Sequence, residues 1–161
     1  MVRAFLAILL IAATSSADPR DTVYDFLLAL ERGDGYSMLG LFSESLSGQL
    51  QARYDQFRAL CEEQPEAGQA MLSGMLPMVS ASDIPGMSLG GFLSLLLLEV
   101  DPTRFDVDAV EREQVEMAGR NATAAMSWIS GETLDFEMVW EGGAWRITGS
   151  SLLGDIFGQV R

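Results

Sequence analysis

The amino-acid sequence predicts an α+β fold, in which N-terminal helices pack on a bent, C-terminal antiparallel sheet. Up to about residue 98, apolar residues recur every three or four positions, which is the spacing of one helix face. From about Asp108, apolar and polar residues alternate in four short runs separated by glycine-containing turns. Helices followed by strands are typical of α+β domains. With 48% hydrophobic residues, the 161-residue chain can bury one substantial core.

The first segment, residues 1–17, is predicted to be a signal peptide. Arg3 precedes an apolar run at residues 4–13, and small residues follow up to Ala17. A membrane anchor is the alternative, but crossing a bilayer takes about 20 apolar residues and this run is shorter. We therefore predict cleavage after Ala17 and export to the periplasm or the medium of a bacterium. The mature chain, residues 18–161, is predicted to have no transmembrane segment.

The second element is a helix that begins beside Asp18. This residue can cap the N-terminus, and Pro19 fits the first helical position. Gly33 is suited to the position that follows the last turn. The apolar residues of one face are Val23, Phe26, Leu27 and Leu30.

A helical middle follows, with one helix predicted at about residues 45–63 and another beginning at Pro65. The stretch at about 64–104 is rich in Met and Leu and reads as a helical insert, broken by Pro85 and nearby glycines. Its last apolar run, FLSLLLLEV, is too short to cross a membrane. A buried helix is therefore predicted, with a lid or an interfacial segment as alternatives. Nothing resembles a linker, so residues 18–161 are predicted to form a single domain.

The last hairpin, VWEGGAWRI at residues 139–147, carries two tryptophans. The glycines at 142–143 suit a two-residue turn, which pairs Trp140 with Trp145 and sends both rings to one face of the sheet. The other side chains expected on that face are Leu134, Phe136, Met138 and Ile147. This face is predicted to be interior and covered by helices.

Side-chain alternation also sets the other two turns. A two-residue turn at 119–120 places Met117 opposite Ala122. A two-residue turn at the next hairpin would put Trp128 on the wrong face, so a three-residue loop centred on Gly131, or a bulge, is predicted. In the second predicted strand, the inward side chains are then Ala124, Met126 and Trp128. The acids Asp135 and Glu137 of the third predicted strand lie on the opposite, solvated face.

The chain is strongly acidic, with 23 Asp and Glu against 10 basic residues, all of them Arg, and a net charge of −13. Cleavage after Ala17 would remove Arg3, leaving 9 basic residues and a net charge of −14. Such a surface repels phosphate backbones and anionic lipids, so no nucleic-acid partner is predicted. A solubility adaptation accounts for this charge, and attraction of a cationic partner is the alternative.

The residue types that are absent limit the chemistry. Without His there is no catalytic triad and no imidazole ligand, and without Lys there is no Schiff base. Cys61 is the single cysteine, so an intrachain disulfide is excluded, and its place on a helical stripe predicts a buried, inert thiol. The acidic stretch at 101–113 lacks the spacing of a calcium loop and is predicted to be a solvated edge. No metal and no cofactor are predicted.

The helix VYDFLLALERGD, the helical middle and the meander ending in MVWEGGAWRI resemble the nuclear transport factor two-like (cystatin-like) superfamily. The first helix and the closing hairpin are similar to those of its small exported bacterial members of unknown function. The resemblance covers about residues 19–63 and 105–150, and the insert is longer than the family pattern. It implies a cone-like roll, a bent sheet around a long helix with an apolar pocket at the wide end. The superfamily includes isomerases, dehydratases, cyclases and plain binding or dimerisation modules, so the fold does not select a function.

The candidate site is an apolar pocket on the aromatic face of the sheet, closed by the Met- and Leu-rich insert. Met side chains adapt their shape, so such a pocket suits a lipid-like or aromatic ligand. The alternative is that the same side chains fill an irregular core. The predicted lining residues are Phe26, Met75, Met126, Trp128, Phe136, Met138, Trp140 and Trp145.

These features predict a non-catalytic binding or interaction module, whose partner is an apolar small molecule or a protein. No catalytic residue is predicted, because no acid and base fall together on the pocket face. Two alternatives stay open. One is a small lyase or isomerase-type enzyme that acts on an apolar substrate through carboxylate and tyrosine groups, with Tyr24, Asp25 and Tyr54 as candidates. The other is a structural homodimerisation domain.

Overall fold

Helices precede a four-stranded antiparallel sheet in the computed structural model, which describes residues 18–153. The predicted signal peptide at 1–17 lies outside the described residues. The helices are α1 (Pro19–Glu31), α2 (Gly35–Gly40), α3 (Glu44–Glu63), α4 (Pro65–Met75) and α5 (Leu89–Leu98). The strands are β1 (Val110–Ala118), β2 (Asn121–Trp128), β3 (Thr133–Glu141) and β4 (Ala144–Ser150), and 3-10 turns lie at Ala81–Gly86, Pro102–Phe105 and Val107–Ala109. The predicted α+β class is confirmed.

Helix α1 is bounded by the residues that its sequence predicts. The Asp18 carboxylate accepts a hydrogen bond from the Arg20 backbone N–H at 3.0 Å, which satisfies one of the free donors of the first turn. At the other end, Gly33 has a φ of 62° and its N–H donates to the Leu30 carbonyl. Such a left-handed residue stops the helix, since glycine adopts this conformation without strain.

The short piece after α1 is itself a helix, α2, and it packs closely on α5. Its N-terminus is capped by the Asp34 carboxylate, which accepts from the Ser37 N–H at 3.0 Å. The Gly35 N–H donates to the Ser94 hydroxyl at 2.9 Å, and that hydroxyl donates to the Gly90 carbonyl at 3.1 Å. The two backbones therefore approach each other through glycines, and a polar link crosses the contact.

Helices α3 and α4 form a hairpin around the single cysteine. Helix α3 begins at Glu44, where the Ser43 hydroxyl caps it. The Cys61 side chain is buried, as predicted, and burial raises the pKa of its thiol. A Cβ added at Gly68 would lie 2.7 Å from the Cys61 sulfur, so glycine at this position lets α4 approach α3.

The sheet has the order β1-β2-β3-β4, and the predicted pairings of its first and last hairpins are confirmed. Trp140 pairs with Trp145 across a Gly-Gly turn, and Met117 pairs with Ala122. The middle loop has three residues, 129–131, as expected, because the Trp128 N–H donates to the Glu132 carbonyl at 3.0 Å. Glycine 131 stands last in that loop rather than at its centre, with a φ of 91°.

Helix α1 covers the aromatic face of the sheet, packing against β2 and β4, while α3 also contacts β4. The Phe26 ring meets the Phe136 ring edge-on at 5.3 Å and lies 6.4 Å from the Phe42 ring. The insert helix α5 packs chiefly on α2. The central cover of the aromatic face is thus α1 rather than the insert that the sequence favoured.

Neither outer strand offers an easy surface for strand addition. The free edge of β4 is occupied by the chain after α2, since the Ser43 N–H donates to the Ile147 carbonyl and the Ile147 N–H donates to the Leu41 carbonyl, both at 2.9 Å. The other edge strand, β1, carries alternating charges at Glu111 and Arg112. Charged side chains on an edge strand oppose pairing with another sheet.

Candidate functional site

Besides Trp145, which is also in the core and is described below with Trp140, five of the eight predicted pocket residues lie in the core. The Trp128 side chain is 2% exposed, its indole N–H donates to the Asp106 carbonyl at 2.8 Å, and its ring meets Phe105 edge-on at 5.4 Å. These side chains pack against one another and against α1 and its neighbours. The five are Phe26, Met126, Trp128, Phe136 and Met138.

Two more predicted residues, Trp140 and Trp145, meet edge-on at 5.5 Å and border a groove of about 240 Å³. Trp145 is nearly buried and Trp140 is half-buried. The Arg120 guanidinium lies in this groove and donates to the Trp140 carbonyl at 2.7 Å. Exposed Met117 lies on the same groove. The guanidinium is therefore held by the backbone of β3.

The eighth residue, Met75, borders a groove of about 550 Å³ between the ends of α4 and α5 and the start of β3, here named the α4–α5 groove. Its volume falls in the range of about 300–1,000 Å³ that is usual for small-molecule sites. The apolar lining residues are Met75, Leu96, Val100, Phe105, Leu134 and Leu152. The others are Gly74, Glu99, Asp101, Arg104, Glu132, Thr133 and Ser151.

A small apolar recess adjoins this groove and shares Met75 with it. The recess holds about 30 Å³ and is enclosed by the aromatic side chains of α3 and α5. The Phe92 ring lies 5.2 Å from Tyr54 and 5.6 Å from Phe57. The flexible side chain of Met75 thus borders both the groove and the recess.

The rim of the α4–α5 groove is charged. The Arg104 guanidinium contacts the Glu132 carboxylate at 2.8 Å and lies 5.3 Å above the Phe105 ring. Hydrogen bonds from the Ser130 hydroxyl and then from Arg104 hold the pKa of Glu132 below its usual range. The hydroxyl and backbone N–H of Thr103 lower the pKa of Asp101 in the same way. Both carboxylates are therefore ionised at neutral pH.

The acids of β3 lie on the outer face of the sheet, as predicted, whereas Glu113 of β1 pairs with buried Met126 and lies on the same face as that residue. Asp135 and Glu137 are exposed, while Leu134, Phe136 and Met138 alternate with them in the core. Asp135 and Glu137 therefore cannot act as bases toward a ligand held on the aromatic face.

The helical candidates for acid–base chemistry are held by other groups. The Tyr24 hydroxyl of α1 donates to the Glu113 carboxylate of β1, which also pairs with Arg20 at 3.2 Å. Asp25 is exposed on the same helix. The Tyr54 hydroxyl donates to the carbonyls of Ile84 and Met87, and burial raises its pKa. None of these side chains lines the α4–α5 groove.

Tyr54 is expected to act in stability, so Tyr54→Phe should lower the free energy of unfolding by about 1–2 kcal/mol. The substitution leaves the carbonyls of Ile84 and Met87 without their buried donor. Urea unfolding followed by circular dichroism measures the change. Tyr36→Phe is the control, because Tyr36 is 62% exposed and water can replace its partner Ser88. Equal losses at both positions would contradict a structural role for the Tyr54 hydroxyl.

The residues of the α4–α5 groove were mostly missed by the sequence analysis, which named Met75 alone among them. The groove is lined by segments that lie far apart in the sequence, and no local sequence pattern predicts that these segments contact one another. One signal was present: the acids and apolar residues at 99–105 follow directly after the strongest apolar run. The acids of 101–113 were predicted to form a solvated edge, and Asp101 is exposed.

Residues 18–153 contain no cluster of three or more side chains able to hold a metal ion. No helix in that range combines the length and the apolar character needed to cross a bilayer. No protein-family model, curated protein or solved structure matches this chain.

Proposed function

We propose that this protein is an exported, non-catalytic binding module that holds an apolar small molecule in the α4–α5 groove. The observation that carries the proposal is a groove of about 550 Å³ whose lining combines apolar side chains of α4, α5 and β3 with a few charged groups at its rim. Export by residues 1–17 and a nuclear transport factor two-like architecture are sequence predictions that the proposal includes.

The apolar surface of the groove continues along one side of α5. Leu96 lines the groove, and Phe92 and Leu89, one and two turns earlier, line the adjoining recess. Seven residues of helix span about 10 Å, so an apolar chain can follow α5 over that distance once Met75 moves aside. This geometry supports an elongated apolar ligand better than a compact one.

Catalysis is less well supported. A reaction that begins with proton abstraction needs a carboxylate or phenol aimed at the bound ligand. The rim carboxylates of Asp101 and Glu132 are stabilised in their charged form by hydrogen bonds, which makes them weak bases. Homodimerisation through the sheet is also less well supported, because one edge is covered by the chain and the other is charged.

Blocking the groove should remove binding of an apolar ligand. A Cβ added at Gly74 points into open space, so Gly74→Phe can place a ring in the groove without disturbing the core. We expect the affinity for the neutral fluorescent probe N-phenyl-1-naphthylamine to fall about tenfold or more. Fluorescence titration measures this affinity.

Gly48→Phe is the matched control for this experiment. Gly48 is also a helical glycine with open space around it, on α3, and it is not part of the groove lining. This variant adds the same exposed ring elsewhere, so it reports any non-specific uptake of the probe. Absence of probe binding to the wild-type protein, or equal binding to both variants, would overturn the proposed site.

A further inference from the structure

The α4–α5 groove lies at the C-terminal ends of two helices. Gly74 and Met75 are the last residues of α4, Leu96 lies in the last turn of α5, and Glu99 and Val100 follow that helix directly. The C-terminus of a helix carries a partial negative charge, because its last carbonyls have no partner within the helix. Two such ends therefore give this groove a negative potential before any side chain is considered.

Neither helix offsets this charge. Helix C-termini are usually stabilised by Lys, Arg or His in the last turn, but α4 and α5 have no basic residue there. The residue that follows α5 is instead the acidic Glu99, and Asp101 stands two positions later. Both of these acids line the groove.

Among residues 18–153, Arg104 is the one cation of the groove lining, and it is already engaged. Arg104 pairs with Glu132 at 2.8 Å, so this pair contributes little net charge. The lining then carries three carboxylates against one guanidinium, which leaves the unpaired acids Glu99 and Asp101 in addition to the helix ends. An anionic ligand would meet repulsion here unless it displaced Glu132 from Arg104.

We propose that the ligand of the α4–α5 groove is a cationic amphiphile, with its positive head at Glu99 and Asp101 and its apolar tail on the Met75–Leu96 surface. This inference rests on the proposed function and names the chemical class of the ligand. Charge complementarity supports it, since helix ends, unpaired carboxylates and an already paired arginine all favour a positive head.

The test compares two amphiphiles of equal chain length, dodecyltrimethylammonium and dodecanoate, below their micelle concentrations. Each displaces N-phenyl-1-naphthylamine from the full mature chain at low ionic strength and neutral pH. We expect the cation to bind about tenfold tighter or more, and we expect added salt to reduce this preference. The same comparison is made on two double variants of equal net charge.

Glu99→Gln with Asp101→Asn should reduce the preference for the cation by roughly threefold or more. Asparagine keeps an acceptor for the Thr103 N–H, so the turn after α5 is retained. The control, Asp25→Asn with Glu31→Gln, removes two exposed carboxylates of α1 that are not part of the lining and should leave the preference unchanged.

The Arg104→Gln variant further distinguishes a site for cationic amphiphiles from a site for anionic ones. It frees the Glu132 carboxylate and should tighten binding of the cation, whereas an anion site at Arg104 would lose dodecanoate. Equal affinities for the two amphiphiles, or tighter binding of dodecanoate, overturn the cationic class while the groove remains a binding site. Binding that Gly74→Phe does not reduce overturns the site itself, and the ligand class with it.

Discussion

Replacing Gly35 with alanine is expected to lower the free energy of unfolding by about 3 kcal/mol, because α2 and α5 meet too closely at this point for any side chain. An added Cβ would lie 2.5 Å from the Ser94 backbone nitrogen, 2.7 Å from the Leu93 Cβ and closer still to the Gly90 carbonyl. Two of these three atoms belong to the backbone of α5, so a rotamer change cannot relieve the contact. The helices must separate, and the Gly35–Ser94 hydrogen bond is then lost.

Gly40→Ala is the matched control, since Gly40 ends the same helix and a Cβ added there meets open space. That variant should be as stable as the wild-type protein or slightly more stable, because alanine favours helix. Urea unfolding of the three proteins gives the comparison. A Gly35→Ala protein within about 0.5 kcal/mol of the control would contradict the close packing of α2 on α5.

The boundaries of α1 and the register of the sheet could be predicted because they depend on local chemistry. Asp18 and Pro19 meet the needs of the first turn within three residues of sequence. Two-residue glycine turns permit one pairing, so Trp140 had to face Trp145. At these positions, neighbouring residues in the sequence determine the conformation, and the structure agrees with the prediction.

The contact between α2 and α5 could not be predicted in this way. Gly35 and Gly90 are 55 positions apart in the sequence, and each reads locally as a turn or helix-breaking residue. Their role appears once two helices cross, where the missing side chains decide how near the backbones come. Hydrophobic periodicity indicates which face of a helix is buried, but it does not indicate which partner buries it.

The candidate site shows the same limit. The sequence identified the aromatic face of the sheet as interior, and the burial of Phe136 and Trp128 confirms that part. It favoured the insert as the cover, whereas α1 supplies the central cover through Phe26. With α1 in that place, the insert helices lie beside the sheet and enclose a groove at their ends, where Met75 is the single predicted residue.

Trp128→Ala is expected to lower the free energy of unfolding by about 3–5 kcal/mol. The substitution removes a nearly fully buried indole and the edge-on contact with Phe105, and the cavity left behind cannot collapse easily between β2 and the turns after α5. It also leaves the Asp106 carbonyl without its indole donor. Trp140→Ala makes the same chemical change at a half-buried ring and should cost less.

Calorimetry or urea unfolding measures the loss of unfolding free energy in Trp128→Ala and in Trp140→Ala. Titration of the two variants with N-phenyl-1-naphthylamine measures whether the affinity for the probe changes as well. Phe105 packs on Trp128 and also lines the α4–α5 groove. Loss of the indole should leave the Phe105 side chain less firmly packed, so we expect the folded Trp128→Ala protein to bind the probe more weakly. A stability loss below about 1 kcal/mol at Trp128 would contradict this packing. If probe affinity then rose, the aromatic face of the sheet, for which the sequence left both a pocket and a filled core open, would be the better site, since an enlarged cavity beside Trp128 would be holding the ligand.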